Sequence, residues 1–190
     1  MRKNQRANQL SQMSAAAIFF SAFGALWIAL SFHLWKMLNW PTACAIALGL
    51  TLLLLTALSV RHAANEEPTK AKKPEAARAR NWINAILGVA ITALYFGLSR
   101  LHMEACFPSA LTAVVGVHKF ALARAFHFAP YYAMGAVLLI WAGISVIVAP
   151  MEEMQAVTAL GTGLILWLGA AITLVVAVRN LRRSIESLSC

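Results

Sequence analysis

Long apolar runs of nearly equal length, separated by short polar breaks, organise this chain. The plainest cover about 14–34, 41–60, 82–99, 131–149 and 156–178. Each approaches the ~20 residues an α-helix needs to cross a hydrocarbon core about 30 Å thick. A sixth stretch, 108–126, is less plain. It holds "VVGVHKFALARAF", which sets His118, Lys119 and Arg124 among Leu111, Val114, Val115, Val117, Phe120, Leu122 and Phe126. Each of these apolar residues favours insertion by about 0.3–0.6 kcal/mol, while a central Lys or Arg costs about 2.5–3.5 kcal/mol. The segment balances near zero unless its cations snorkel or turn toward other helices.

Charge decides whether it crosses. Without it there are five spans, and the 16 Lys and Arg divide nine to seven between the two sides. With it there are six, and 14 of the 16 lie on the N-terminal side: three in 1–13, six in 61–80, Lys119 and Arg124, and Arg179, Arg182 and Arg183. Only Lys36 and Arg100 are left opposite. The positive-inside rule selects the second count. The expected fold is therefore all-α: one polytopic membrane bundle of six transmembrane helices with both termini cytoplasmic.

Composition agrees. The 190 residues are 61% hydrophobic and 12% charged, with a mean hydropathy of +0.70, well below the quarter charged of soluble domains. The first run is too long for a secretory signal core and lacks a small-residue cleavage site, so it reads as a retained span. The net charge of +9 suits cytoplasmic loops and lipid headgroups, and no nucleic-acid module is present to use it.

The layout suggests three helical hairpins. "HLWKMLNW" joins spans one and two, with Trp35 and Trp40 at the interface and Pro41 opening the second helix. Residues 61–81 form the one substantial linker, with a short helix expected at "EAARAR". Small or polar residues recur at helical spacing in three spans. Span one has Ala17, Ser21, Ala25, Ala29 and His33; span three has Asn84, Gly88, Thr92, Tyr95, Ser99 and His102; span six has Thr158, Thr162, Gly169 and Thr173. Such faces let backbones approach, and they are expected to point into the bundle.

Candidate chemistry is sparse. His118 lies ten residues after Pro108, about 15 Å along a helix and so near the midplane, where an ionisable residue is a functional candidate. His118 and His127 are half a turn out of phase and cannot share a ligand on one helix. The pathway candidates are His118, Asn84, Thr92, Tyr95, Ser99 and Thr162. His33, His102, Glu104 and Cys106, in turns poor in basic residues, are candidate ligands for a soft or borderline metal, without a diagnostic spacing. Cys44 and Cys106 could lie near one membrane face, where geometry would allow a disulfide between them. The chain has no Asp and seven Glu, none of the Glu inside a span, and no catalytic motif, so no enzyme or cofactor is indicated.

Gly116, His118, Phe120, Leu122, Ala123, Arg124 and Phe126, followed by Tyr132, Gly135, Gly161 and Trp167, resemble a group of small bacterial six-span integral membrane proteins of unknown function. Lys119 and Ala121 stand where that pattern has Phe and Pro. The resemblance implies six spans and a bacterial inner membrane, but no activity. Three functions are carried forward: a small-solute or ion transporter component with a site near His118, a non-catalytic accessory or scaffold subunit, and a periplasm-side metal or redox protein. The expected partners are the lipid bilayer and either a second copy or a different membrane protein.

Overall fold

A computed structural model describes residues 2–65, 74–126 and 129–186. Among these residues every regular element is helical: α1 (Arg2–Leu34), α2 (Trp40–Asn65), α3 (Pro74–Arg100), a 3₁₀ turn (Glu104–Cys106), α4 (Phe107–Phe126), α5 (Pro130–Val148) and α6 (Met154–Glu186). Six stretches are long and apolar enough to cross a membrane: Met13–Leu34, Trp40–His62, Asn81–Arg100, Glu104–Ala125, Pro130–Val148 and Met154–Leu181. They match the six expected spans to within a few residues, the marginal fourth included. This is a multi-pass membrane protein. The helix expected at "EAARAR" is the start of α3 itself, with Pro74 in the first turn, where a missing N–H costs nothing.

The ends of the helices follow from local chemistry. Asn39 caps α2: its Oδ1 accepts from the Thr42 backbone N–H at 3.1 Å and from Thr42 Oγ1 at 2.6 Å. α5 starts at Pro130 and ends at Val148, because Pro150 forces the residue before it, Ala149, into an extended conformation. α1 and α3 close in the same way. Lys36 N–H reaches His33 O and Met37 N–H reaches Phe32 O, with Lys36 at φ 56°. His102 N–H reaches Ser99 O and Met103 N–H reaches Leu98 O, with His102 at φ 55°. Both are Schellman ends whose left-handed position, usually glycine, holds a full side chain.

The chain forms two compact units. The first comprises Met1–Leu26, Asn39–Ala71 and Leu166–Cys190, and the second Trp27–Leu38 and Lys72–Ile165. α1 and α6 therefore contribute to both.

In the first unit, buried small residues set the spacing of the helices. Ser14, Ala17, Ser21, Ala57, Ala170 and Ala177 are all buried, and Ser14 donates to Ala57 O at 2.7 Å, joining α1 to α2. Trp167 of α6 donates its indole N–H to Ser21 O at 3.0 Å. Its ring covers Gly49 of α2, where an added Cβ would lie 2.5 Å from the indole. A large apolar ring with one donor thus joins three helices without leaving a polar atom unmatched.

The second unit uses the same device. Trp141 of α5 donates to Thr158 O at 3.2 Å, and its indole occupies the space a Cβ at Gly161 would need. α4 and α5 cross at Gly116 and Gly135. A Cβ at Gly116 would lie 3.0 Å from Gly135 O, and one at Gly135 2.8 Å from Gly116 O. Only glycine at both positions allows this backbone contact.

Candidate functional site

Two polar groups lie inside the second unit, both on the buried face of α4. The first is a set of hydroxyls. Ser109 Oγ lies 3.2 Å from Ser145 Oγ of α5 and 3.0 Å from Thr158 Oγ1 of α6. Thr112 Oγ1 lies 2.9 Å from Thr162 Oγ1. Four of the five also donate to carbonyls of their own helices: Thr112 to Pro108, Ser145 to Ala142, Thr158 to Met154 and Thr162 to Thr158. All five side chains are buried. A hydroxyl has one proton to give, so Ser109 supplies the donor across the helices, to Thr158 or Ser145, while Thr112 and Thr162 pack oxygen to oxygen with their protons on their own helices.

The second group is Lys119. It sits seven residues after Thr112, two turns along the same face. It is only 2% exposed, and its Nζ lies 5.7 Å from the centroid of the Tyr131 ring in the first turn of α5. That distance is within cation–π range, which desolvation strengthens to about 2 kcal/mol. The glycine crossing one turn back draws α5 close enough for the ring to meet the ammonium. Arg124 remains exposed.

The structure distributes the sequence candidates differently from expectation. His118 is half-buried. It lies six residues, or 600°, beyond Thr112, so it points about a third of a turn away from the face that meets Thr162. The residue buried at that depth is its neighbour Lys119. Thr162 is buried, in the hydroxyl set. Asn84, Thr92 and Tyr95 are exposed and Ser99 half-buried. The stripe on α3 thus does not point into the bundle as expected: no residue of the Asn81–Arg100 stretch is buried. Thr92 donates to Gly88 O at 3.0 Å, Tyr95 meets the Phe107 edge at 5.7 Å, and Ser99 lies 3.5 Å from Glu104 Oε1. Periodicity identified a face correctly but not what covers it. The face expected on α6 is inside, with Thr158, Thr162, Gly169 and Thr173 all buried. That on α1 is buried at Ala17, Ser21 and Ala25, half-buried at Ala29 and exposed at His33.

The candidate metal ligands do not converge. His33, His102 and Glu104 are exposed and Cys106 half-buried. Among the described residues no three His, Cys, Asp or Glu side chains could hold one ion. α3 ends at Arg100, so His102 and Cys106 share no helix face, and His102 is the left-handed residue of the turn. Cys44 and Cys106 are both free thiols. His127 lies outside the described residues.

The sequence turned Lys119 toward the interface or other helices, but it did not single out Lys119, Tyr131 or the partners of Thr162 as site residues. The available signal was Gly116, three residues before Lys119, which marks the side on which a neighbouring backbone comes close. Comparison with protein-family models, with characterised proteins and with solved structures returns no match.

Proposed function

We propose that this protein is a non-catalytic subunit of a membrane assembly, held in place through the outward face of α3. One observation carries the reading. The apolar stretch of α3 buries no residue, yet it presents Asn84, Gly88 and Thr92 at four-residue spacing, and nothing lies within 4 Å of where a Cβ at Gly88 would be. Small residues at that spacing let another helix approach, and an asparagine amide gains partners there that hydrocarbon does not offer. In this reading the assembly resides in a bacterial inner membrane with both termini cytoplasmic. The charge count and the resemblance to bacterial six-span proteins support that placement.

The test is cysteine cross-linking in native membranes, with the three native cysteines replaced. Gly88→Cys and Thr92→Cys should capture a second polypeptide, whether another copy or a different protein. Ile147→Cys, on an 84% exposed position of α5, is the comparator. Equal background capture at all three positions would count against the proposal.

A second reading, a small-solute or ion transporter component, is favoured by the buried Lys119 beside His118. Loss of uptake or efflux in Lys119→Met and His118→Ala proteins that still reach the membrane would select it. Unchanged flux would favour the subunit.

A further inference from the structure

We propose that a groove between α2 and α6, headed by Arg179, binds one anionic phospholipid. The groove lies within the first unit and is lined by Thr56, Leu174, Val175, Val178 and Arg179, enclosing about 290 Å³. That is near the lower end of the roughly 300–1,000 Å³ typical of small-molecule sites. Its walls behave as hydrocarbon. Leu174 is buried at 3% exposure and Val175 is half exposed at 50%. The one hydroxyl, Thr56 Oγ1, already donates to Leu52 O at 2.8 Å. Such a trough suits an acyl chain.

Arg179 supplies the charge, and its depth is right. It follows Met154 by 25 residues in one continuous helix, about 37 Å along the axis. The hydrocarbon core is about 30 Å thick, so the exposed guanidinium stands at headgroup level while Leu174–Val178 lie below it. A guanidinium presents a planar fork of donors that matches phosphate. Arg182 and Arg183 follow three and four positions later, so the sequence is positively charged at this end. An anionic headgroup answers that charge, whereas a zwitterionic lipid carries its own ammonium beside the phosphate. Basic sites between transmembrane helices select anionic lipids on this principle.

Native mass spectrometry of the detergent-solubilised full chain tests the site, with phosphatidylglycerol and phosphatidylcholine of identical acyl chains as probes. The wild type should retain one phosphatidylglycerol in preference to phosphatidylcholine. Arg179→Gln should reduce that preference about fivefold, the equivalent of about 1 kcal/mol per basic residue. Arg179→Lys should keep most of it, and Arg100→Gln on α3 all of it. Val178→Trp, which fills the trough, should lower phosphatidylglycerol retention with the arginine intact. Far-UV circular dichroism and monodisperse elution identify the variants that are folded. Equal retention of the two lipids by the wild type overturns the proposal. So does a preference that survives Arg179→Gln, or one that survives Val178→Trp, which would indicate surface charge alone.

Discussion

Replacing Gly135 by alanine adds one methyl group at the tightest backbone approach between α4 and α5. The new Cβ would lie 2.8 Å from Gly116 O, 3.0 Å from Phe120 Cε2 and 3.2 Å from Lys119 Cβ. Carbon and carbonyl oxygen meet comfortably at about 3.3–3.6 Å, so the helices must part by about half an ångström. The nearest obstacle is backbone and cannot rotate away. Overpacking of this kind costs about 1–3 kcal/mol. Alanine also favours a helix over glycine by up to about 1 kcal/mol, which would blur the result for a single variant. Gly88→Ala supplies the control, because nothing lies within 4 Å of its Cβ position. The propensity gain is common to both, so the difference between them isolates the packing term, about 1–3 kcal/mol. The assay is denaturant-induced unfolding in detergent micelles, followed by tryptophan fluorescence and circular dichroism. Gly88→Ala should unfold at or above the wild-type midpoint and Gly135→Ala well below Gly88→Ala. Equal midpoints for the two variants would refute the close crossing.

Three further outcomes are expected. His102→Gly removes a side chain from a left-handed position and should stabilise the protein by about 1 kcal/mol, read as a raised unfolding midpoint; an unchanged or lowered midpoint would mean that α3 ends differently. A double-mutant cycle with Ser109→Ala and Thr158→Val should give a coupling of about 0.6 kcal/mol and no more than about 1.7 kcal/mol, typical of interhelical hydroxyl bonds, and zero coupling would deny the 3.0 Å contact. Lys119→Met keeps the packed stem and exchanges the cation–π contact for relief from burying a charge, so its midpoint should stay near wild type, while Lys119→Ala opens a cavity and should cost about 2–5 kcal/mol; equal midpoints for the two would mean that the stem is not packed.

The number of spans was legible because crossing a membrane is a one-dimensional requirement, met by length and apolarity. Even the fourth span could be placed this way, by asking where Lys119 and Arg124 had to go. Rotation about each helix axis is another matter. His118 and Lys119 are adjacent, and depth alone cannot rank them. Gly135, 16 residues further on, helps bury Lys119, because its missing side chain admits α4 and brings α5 against the lysine stem. The stripe on α3 was visible for the same reason as that on α6, since both repeat at helical spacing. Only packing separates them: Thr158 and Thr162 meet Ser109 and Thr112, whereas Asn84 and Thr92 face outward. The role of His102 was hidden because a left-handed histidine has no sequence signature comparable to glycine.

The Lys119–Tyr131 contact also has a consequence for biosynthesis. α4 alone is a poor membrane segment, and the side chain that makes it poor is accommodated by residues that leave the ribosome only afterwards. Until Tyr131 and Gly135 have emerged, α4 lacks that ring and its glycine crossing. Insertion of α4 is therefore expected to improve once α5 follows it. A chain truncated shortly after Phe126 would leave this segment only weakly inserted, however faithfully the first three helices had already been placed.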